Sequence, residues 1–227
     1  MTMKTKQNFQ RARSDEAKEL REAAILKAAR TLAGTHGVRQ ITLTDIAESV
    51  GMHKSALLRY FENREQIFLI LTGEYWPEWS SDVRKELRRL EEITPKGVAA
   101  ILAKTLTARP IFCDLLAQTP LNLERNVSLD AIRAFKIVAL NEVRAIASEL
   151  KRMFGISNQM AFDTIASATY MAGALWQVAT PGSEIAALYR SDPQLKHAVV
   201  EIEPRLTNIL TAVITGFLAE KGKYKST

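Results

Sequence analysis

Thr42, Thr44, Lys54, Tyr60 and Arg64 lie close together in the chain. Each carries a hydroxyl, ammonium or guanidinium group that donates hydrogen bonds to phosphate oxygens. Among them sit His53, Ser55, Ala56 and Arg59, which suit base edges if this segment is a short helix offering its first turn and outer face to a groove. Arg59 suits phosphate as well, and His53 taken alone reads as a solvated surface imidazole. Charge placement points the same way. Of 31 Lys and Arg and 25 Asp and Glu, residues 1–64 hold 12 against 7 and the remainder 19 against 18, for a net charge of +6. A basic segment beside a nearly neutral body suggests one face for a polyanion, although a solvated charged tail has the same composition.

Four predicted helices position these side chains. Ile25, Ala28, Ala29, Leu32 and Ala33 follow the i, i+3, i+4 spacing of a helix with one buried face, which Gly37 ends. Thr42-Leu43-Thr44-Asp45 reads as a capping box opening a second helix, with Ile46, Ala47 and Val50 inside and Gly51 supplying a sharp exit. Residues from His53 to Tyr60 read as a third short helix with Leu57 turned inward, and Phe61 joins the core. Asn63 and Gln66 cap a fourth, led by Ile67, Phe68, Ile70 and Leu71. A helix, a tight turn with Gly and a second helix, braced by a preceding one, form an arrangement that puts the second short helix into the major groove. Spacing alone also fits helical proteins that never touch DNA.

The residues narrow the choice. The run ITLTDIAESVGMHKSALLRYFENREQIF at 41–68 resembles the DNA-binding signature of the TetR family of bacterial transcriptional regulators, and the likeness extends from about Arg21 to Leu71. It departs from that pattern at Leu58, where the family often has Tyr, at His53, where Ser or Val is common, and at Arg64, where Lys is usual. These departures unsettle any operator borrowed from a relative. The phrases RPIFCDLL at 109–116 and LERNVS at 123–128 resemble one subgroup of that family's sensor domains. The resemblance implies an all-α protein: a three-helix helix-turn-helix DNA-binding domain over 15–66, with the motif at about 42–61, then a helical ligand-sensing and dimerisation domain over 67–221. It further implies a homodimer on a palindromic double-stranded DNA operator, a repressor released by a small effector, which the aromatic and Met side chains named below as cavity candidates would make largely apolar. The alternative is a DNA-binding dimer that answers to a protein partner or to nothing.

The body reads as helical throughout, with no alternating run long enough for a sheet. Pro77 should kink or end the fourth helix near Trp76. Thr94-Pro95 opens a helix to about Thr107, and Pro110 and Pro120 bracket a short one. Ser128 caps a stretch ending at Gly155, and Ser157 caps another reaching about Thr180. Two more helices are expected from Asp192-Pro193 and from Glu203-Pro204, the last running to about Glu220. By the resemblance, two late helices build a four-helix dimer bundle. Small residues such as Ala161, Ala166, Ala168, Ala172, Gly173 and Ala174, facing Ile209, Ala212, Val213, Gly216 and Phe217, suit it, as they suit ordinary core packing. Trp76, Trp79, Phe112, Leu116, Asn122, Phe135, Met171 and Trp176 are the candidates for an effector cavity.

Other chemistries lack support. His36, His53 and His197 have no partner at metal-ligand spacing, and Cys113 stands alone without a CxxC or a neighbouring base. No phosphate-binding glycine loop or nucleophile elbow occurs, so neither an enzyme nor a cofactor is expected. A single cysteine, a polar basic N-terminus and no long apolar run fit a cytoplasmic protein outside the membrane.

Overall fold

The computed structural model describes residues 3–224, with side chains placed over 16–221 apart from 196 and 197. Ten α-helices and no strand occur among the described residues: α1 (Met3–His36), α2 (Leu43–Ser49), α3 (Lys54–Leu57), α4 (Arg64–Arg88), α5 (Pro95–Thr107), α6 (Pro110–Gln118), α7 (Leu129–Phe154), α8 (Asn158–Ala179), α9 (Ser183–Ser191) and α10 (Ile202–Tyr224). The elements expected at Thr94, Ser128 and Ser157 begin there, each with a hydroxyl accepting the backbone N–H three residues on. Gly155 closes α7 in the left-handed region, at φ 60°. No helix among the described residues is long and apolar enough to cross a membrane.

α1 reaches back to Met3, beyond the apolar stripe that marks it in the sequence. Two expectations need correction. Of the two outcomes expected of Pro77, a kink or an end, the end is excluded, because α4 runs through the proline to Arg88. The proline withholds one N–H, from the Gly73 carbonyl, and its ring faces solvent, while Trp76, Trp79, Ser80, Val83 and Leu87 are buried on both sides of it. Burial along several turns holds the helix across a single missing bond. Asp192-Pro193 opens only a 3₁₀ turn over 193–198, and the helix of that region is α9, just before it.

The core of the body centres on aromatic rings. Tyr75, Trp76 and Trp79 of α4 surround Phe112 of α6 at centroid distances of 5.7, 5.7 and 6.0 Å, and Trp79 and Phe112 are fully buried. Trp79 Nε1 donates to Thr105 Oγ1 at 3.0 Å, which fixes α5 against α4. α10 packs on α5 and α8, and α7 lies along α4. Glu149 of α7 strengthens that last pairing. Burial would raise its carboxyl, but Arg88 of α4 and Arg152 hold it below the usual range.

Most of the small-residue stripe of α8 is used inside the protomer. Ala161, Ala168, Ala172 and Gly173 are buried, and α8 approaches α6 so closely that a Cβ at Gly173 would lie 2.9 Å from the Ala117 backbone nitrogen. Gly173→Ala must therefore push two helices apart. It should lower the stability measured by urea unfolding by about 1–3 kcal/mol, the scale of overpacking a tight contact; an unchanged midpoint would show that the helices do not meet there.

Candidate nucleic-acid interface

The N-terminal unit is built around α2 and α3. Thr42 Oγ1 accepts the Asp45 N–H at 3.2 Å, and Asp45 Oδ2 accepts the Thr42 N–H at 2.7 Å, completing the capping box. The Thr42 backbone and hydroxyl donors hold the Asp45 carboxyl below its usual range. Since that hydroxyl donates to Asp45 at 2.8 Å, its hydrogen is already engaged, whereas Thr44 is exposed on the same first turn. Val50 ends α2 and Gly51, at φ 65°, turns the chain into α3.

α3 is shorter than its sequence suggests. It spans Lys54–Leu57, and Leu58–Tyr60 continue as tighter turns closed by Arg59 N–H to Ala56 O at 3.3 Å and Tyr60 N–H to Leu57 O at 2.9 Å. Leu57 is fully buried with Ile46, Ala47 and Phe61. His53, Lys54, Ser55 and Arg59 are exposed, and Ala56 and Tyr60 half-buried, so the two faces of this element are sharply divided. His53 Nδ1 and Ser55 Oγ share a hydrogen bond of 2.9 Å, which orders the first turn.

Arg64 is placed differently from its neighbours. Its guanidinium turns inward to the carbonyls of Ile41 and Val38, pairs with Glu65 at 3.0 Å and covers the Phe68 ring. It ties the start of α4 to the segment before α2 instead of standing free above a surface. These contacts engage three of the five N–H donors of the guanidinium.

Besides α4 itself, the unit is joined to the body by several polar contacts, among them Asn63 Nδ2 donating to the Asn126 carbonyl at 2.5 Å. Arg30 of α1 pairs with Glu74 at 2.6 Å and lies over the Tyr75 ring. Glu62 accepts from the backbone and hydroxyl of Ser128, the N-cap of α7, at 2.9 and 2.6 Å. Asp114 of α6, only 8% exposed, accepts the Val38 N–H at 2.7 Å and Gln177 Nε2 of α8 at 2.8 Å. Gly37 beside that carboxylate takes φ 79°, a conformation that residues with a side chain rarely adopt. Sequence reasoning passed over Glu62 and Asp114. A single acid inside the apolar run Ile111-Phe112-Cys113-Asp114-Leu115-Leu116 was the available signal for the second.

The residues expected around an effector are not gathered in one space. Trp76, Trp79 and Phe112 pack against one another, and Leu116 and Met171 are partly buried against the core. Asn122 is exposed and donates to Gln118. Phe135 lines a groove between α4 and α7, whereas Trp176 lines a cleft between α1, α6 and α8. Helical spacing marks buried faces but does not say which faces share a space. Cys113 is fully buried, donates to the Leu106 carbonyl, and has its thiol pushed up to about 12 by burial and by the adjacent Asp114 charge, which makes it a packing residue. Among the described residues no group of three or more His, Cys, Asp and Glu is arranged to hold a metal ion, and the side chain of His197 lies outside them.

Ser128's hydroxyl and backbone donors hold Glu62 below its ordinary 4.5. A lowered folded-state value means that the contact stabilises above the unfolded value and is lost as pH falls through the folded one. Glu62→Gln should therefore lower the urea midpoint at neutral pH, and the gap from wild type should close at about pH 4 and below as the wild-type carboxyl protonates. A gap that stays constant with pH would remove the ionised carboxylate from the contact.

Comparison with known proteins bears on this geometry. The family described as "Bacterial regulatory proteins, tetR family" matches residues 25–71, and "Tetracyclin repressor-like, C-terminal domain" matches 74–221. No curated protein matches the sequence. Among solved structures, FadR from Bacillus subtilis in complex with stearoyl-CoA is 14% identical with a TM-score of 0.51, covering 84% of this chain and 98% of its own. Thermus thermophilus FadR in complex with lauroyl-CoA is 19% identical at 0.51, covering 79% and 95%. The fatty acid degradation regulator FadR from Bacillus halodurans is 15% identical at 0.50, covering 84% and 94%. At such identities the likeness is one of fold. With one family domain over the helix-turn-helix and the other over most of the body, the chain belongs to the TetR family of bacterial transcriptional regulators.

Proposed function

We propose that the chain is a cytoplasmic repressor that binds a palindromic operator as a homodimer and leaves it when a small, largely apolar molecule enters its helical body. The DNA half rests on the division of α3, where Leu57 anchors the element while His53, Lys54, Ser55 and Arg59 face outward. In this reading Thr44, Lys54 and Tyr60 hold phosphates, His53, Ser55, Ala56 and Arg59 meet base edges, and Thr42 and Arg64 shape the unit from within. The homodimer would join the outward residues Tyr170, Ala174 and Val178 of α8 to Ala212 and Gly216 of α10, which the protomer leaves exposed. No catalytic role is assigned.

The effector half rests on α4 and its neighbours. A groove of about 480 Å³ runs between α4 and α7, lined by Leu69, Ile70, Gly73, Pro77, Phe135 and Val138. Farther along α4, Trp76 Nε1 and Ser80 Oγ are buried without a hydrogen-bond partner. Leaving such groups unmet costs about 1–3 kcal/mol each, so a ligand oxygen reaching them would recover free energy. The solved FadR complexes with stearoyl-CoA and lauroyl-CoA make an acyl chain the first class to test. α4 belongs to both the DNA-binding unit and the body, so a ligand that favours one tilt of it biases the spacing of two recognition elements. A second reading, in which the body only dimerises or meets a protein partner, draws on the filled aromatic core around Phe112.

Selection of random DNA fragments by the purified protein tests the first half, with enrichment of a two-fold symmetric sequence expected and no enrichment contradicting it. On that operator, Lys54→Ala should weaken specific and random DNA alike and lower the salt slope by about 1. Arg59→Ala should instead relax one base position by about 1–3 kcal/mol. Equal losses on both kinds of DNA would move Arg59 to the phosphates. Calorimetry of a bound acyl compound with and without operator tests the second half. A coupling of about 1–3 kcal/mol should weaken each ligand in the presence of the other, and an unchanged dissociation constant would favour the dimerisation scaffold.

A further inference from the structure

A second cleft, of about 500 Å³, opens where the end of α1 and the 3₁₀ turn over 38–40 meet the start of α6 and the end of α8. Its buried floor is Asp114. Both carboxylate oxygens accept bonds from neutral donors, Val38 N–H and Gln177 Nε2, and among the described residues no cation forms an ion pair with it. A buried carboxylate ordinarily has a cationic partner, because neutral donors recover only part of the lost solvation. The walls are of two further kinds. Trp176, Ile111 and Pro110 supply an apolar side, while His36 and Arg39 stand exposed on the opposite rim.

We infer that this cleft binds a small zwitterion of the amino-acid class. Its ammonium group meets Asp114 with the Trp176 ring beside it, its carboxylate meets Arg39 at the rim, and an apolar side chain lies along Ile111 and Pro110. A bare cation would satisfy Asp114 but face Arg39 unshielded. A bare anion would bring a second negative charge toward an uncompensated one. A molecule with both charges matches both walls, and the cleft's volume lies within the range of small-molecule sites. The site is separate from the α4–α7 groove and stands whether or not an operator is bound.

Calorimetry of the full-length protein without DNA tests this, using L-leucine, L-methionine, L-phenylalanine and L-tryptophan as probes. Phenethylamine and 3-phenylpropionate serve as the one-charge counterparts of phenylalanine. At least one amino acid should bind in the millimolar range or tighter, and phenylalanine should bind about tenfold or more tightly than either counterpart. Asp114→Asn keeps an acceptor for the Val38 N–H and should abolish binding, while Arg39→Ala should weaken it. Trp176→Leu, which leaves Asp114 in place, should weaken binding too and provides the check if Asp114→Asn unfolds. No binding of any probe by the wild type, or full binding by either Asp114→Asn or Trp176→Leu, would overturn the assignment.

Discussion

Asp114 joins three segments far apart in the chain. Its carboxylate receives the Val38 N–H from the turn that leads into α2 and the Gln177 side chain from α8, while its own backbone belongs to α6. On the far side of the unit Glu62 performs the corresponding task, accepting two donors at the N-cap of α7. α4 is shared by both parts. The DNA-binding unit is thus held to the body by one continuous helix, by the packing of α1 and the turn over 38–40 on α6 within one shared apolar core, and by polar contacts at its edges.

The polar contacts at the edges have a mechanical consequence. Apolar burial is insensitive to small rotations and keeps the unit intact, but hydrogen bonds lose their strength over a fraction of an ångström and within tens of degrees. A disturbance in the body is therefore expected to reorient the unit before it unfolds it. The uncompensated charge of Asp114 adds to this, since its contacts compete with solvent at the cleft that opens beside it. Arg64 works in the opposite sense: by binding the carbonyls of Val38 and Ile41 it makes the start of α4 and the approach to α2 move as one piece.

Local signals in the sequence were the most legible. The capping box at Thr42–Asp45, the left-handed glycines at 37 and 51, the Asn63 cap and the starts of α5, α7 and α8 follow from interactions within four residues, so spacing reveals them. The helix end expected as one outcome at Pro77 does not occur because one missing bond is small beside the burial of Trp76, Trp79 and Val83 around it. The end of α3 misled because the turns after Leu57 keep a nearly helical path. The candidate effector residues do not line one common space, for a different reason. Trp176 and Phe135 both lie on partly apolar faces, yet those faces open on different spaces, and only long-range packing decides that. Gly173 was recognised as permitting close approach, but the partner is α6 of the same chain.

The account stands on the claim that Asp114 and Glu62 set the orientation of the DNA-binding unit. An electron–electron distance between spin labels on exposed positions of the two parts, Ser49→Cys in α2 and Ser148→Cys in α7, measures it directly, and the buried Cys113 should stay unlabelled. Doubly labelled chains diluted with unlabelled protein should give one narrow distance distribution. Adding Asp114→Ala and Glu62→Ala should broaden or shift that distribution while helix content stays the same. A distribution unchanged by the loss of both carboxylates would contradict the account and leave α4 and the shared apolar core as the link.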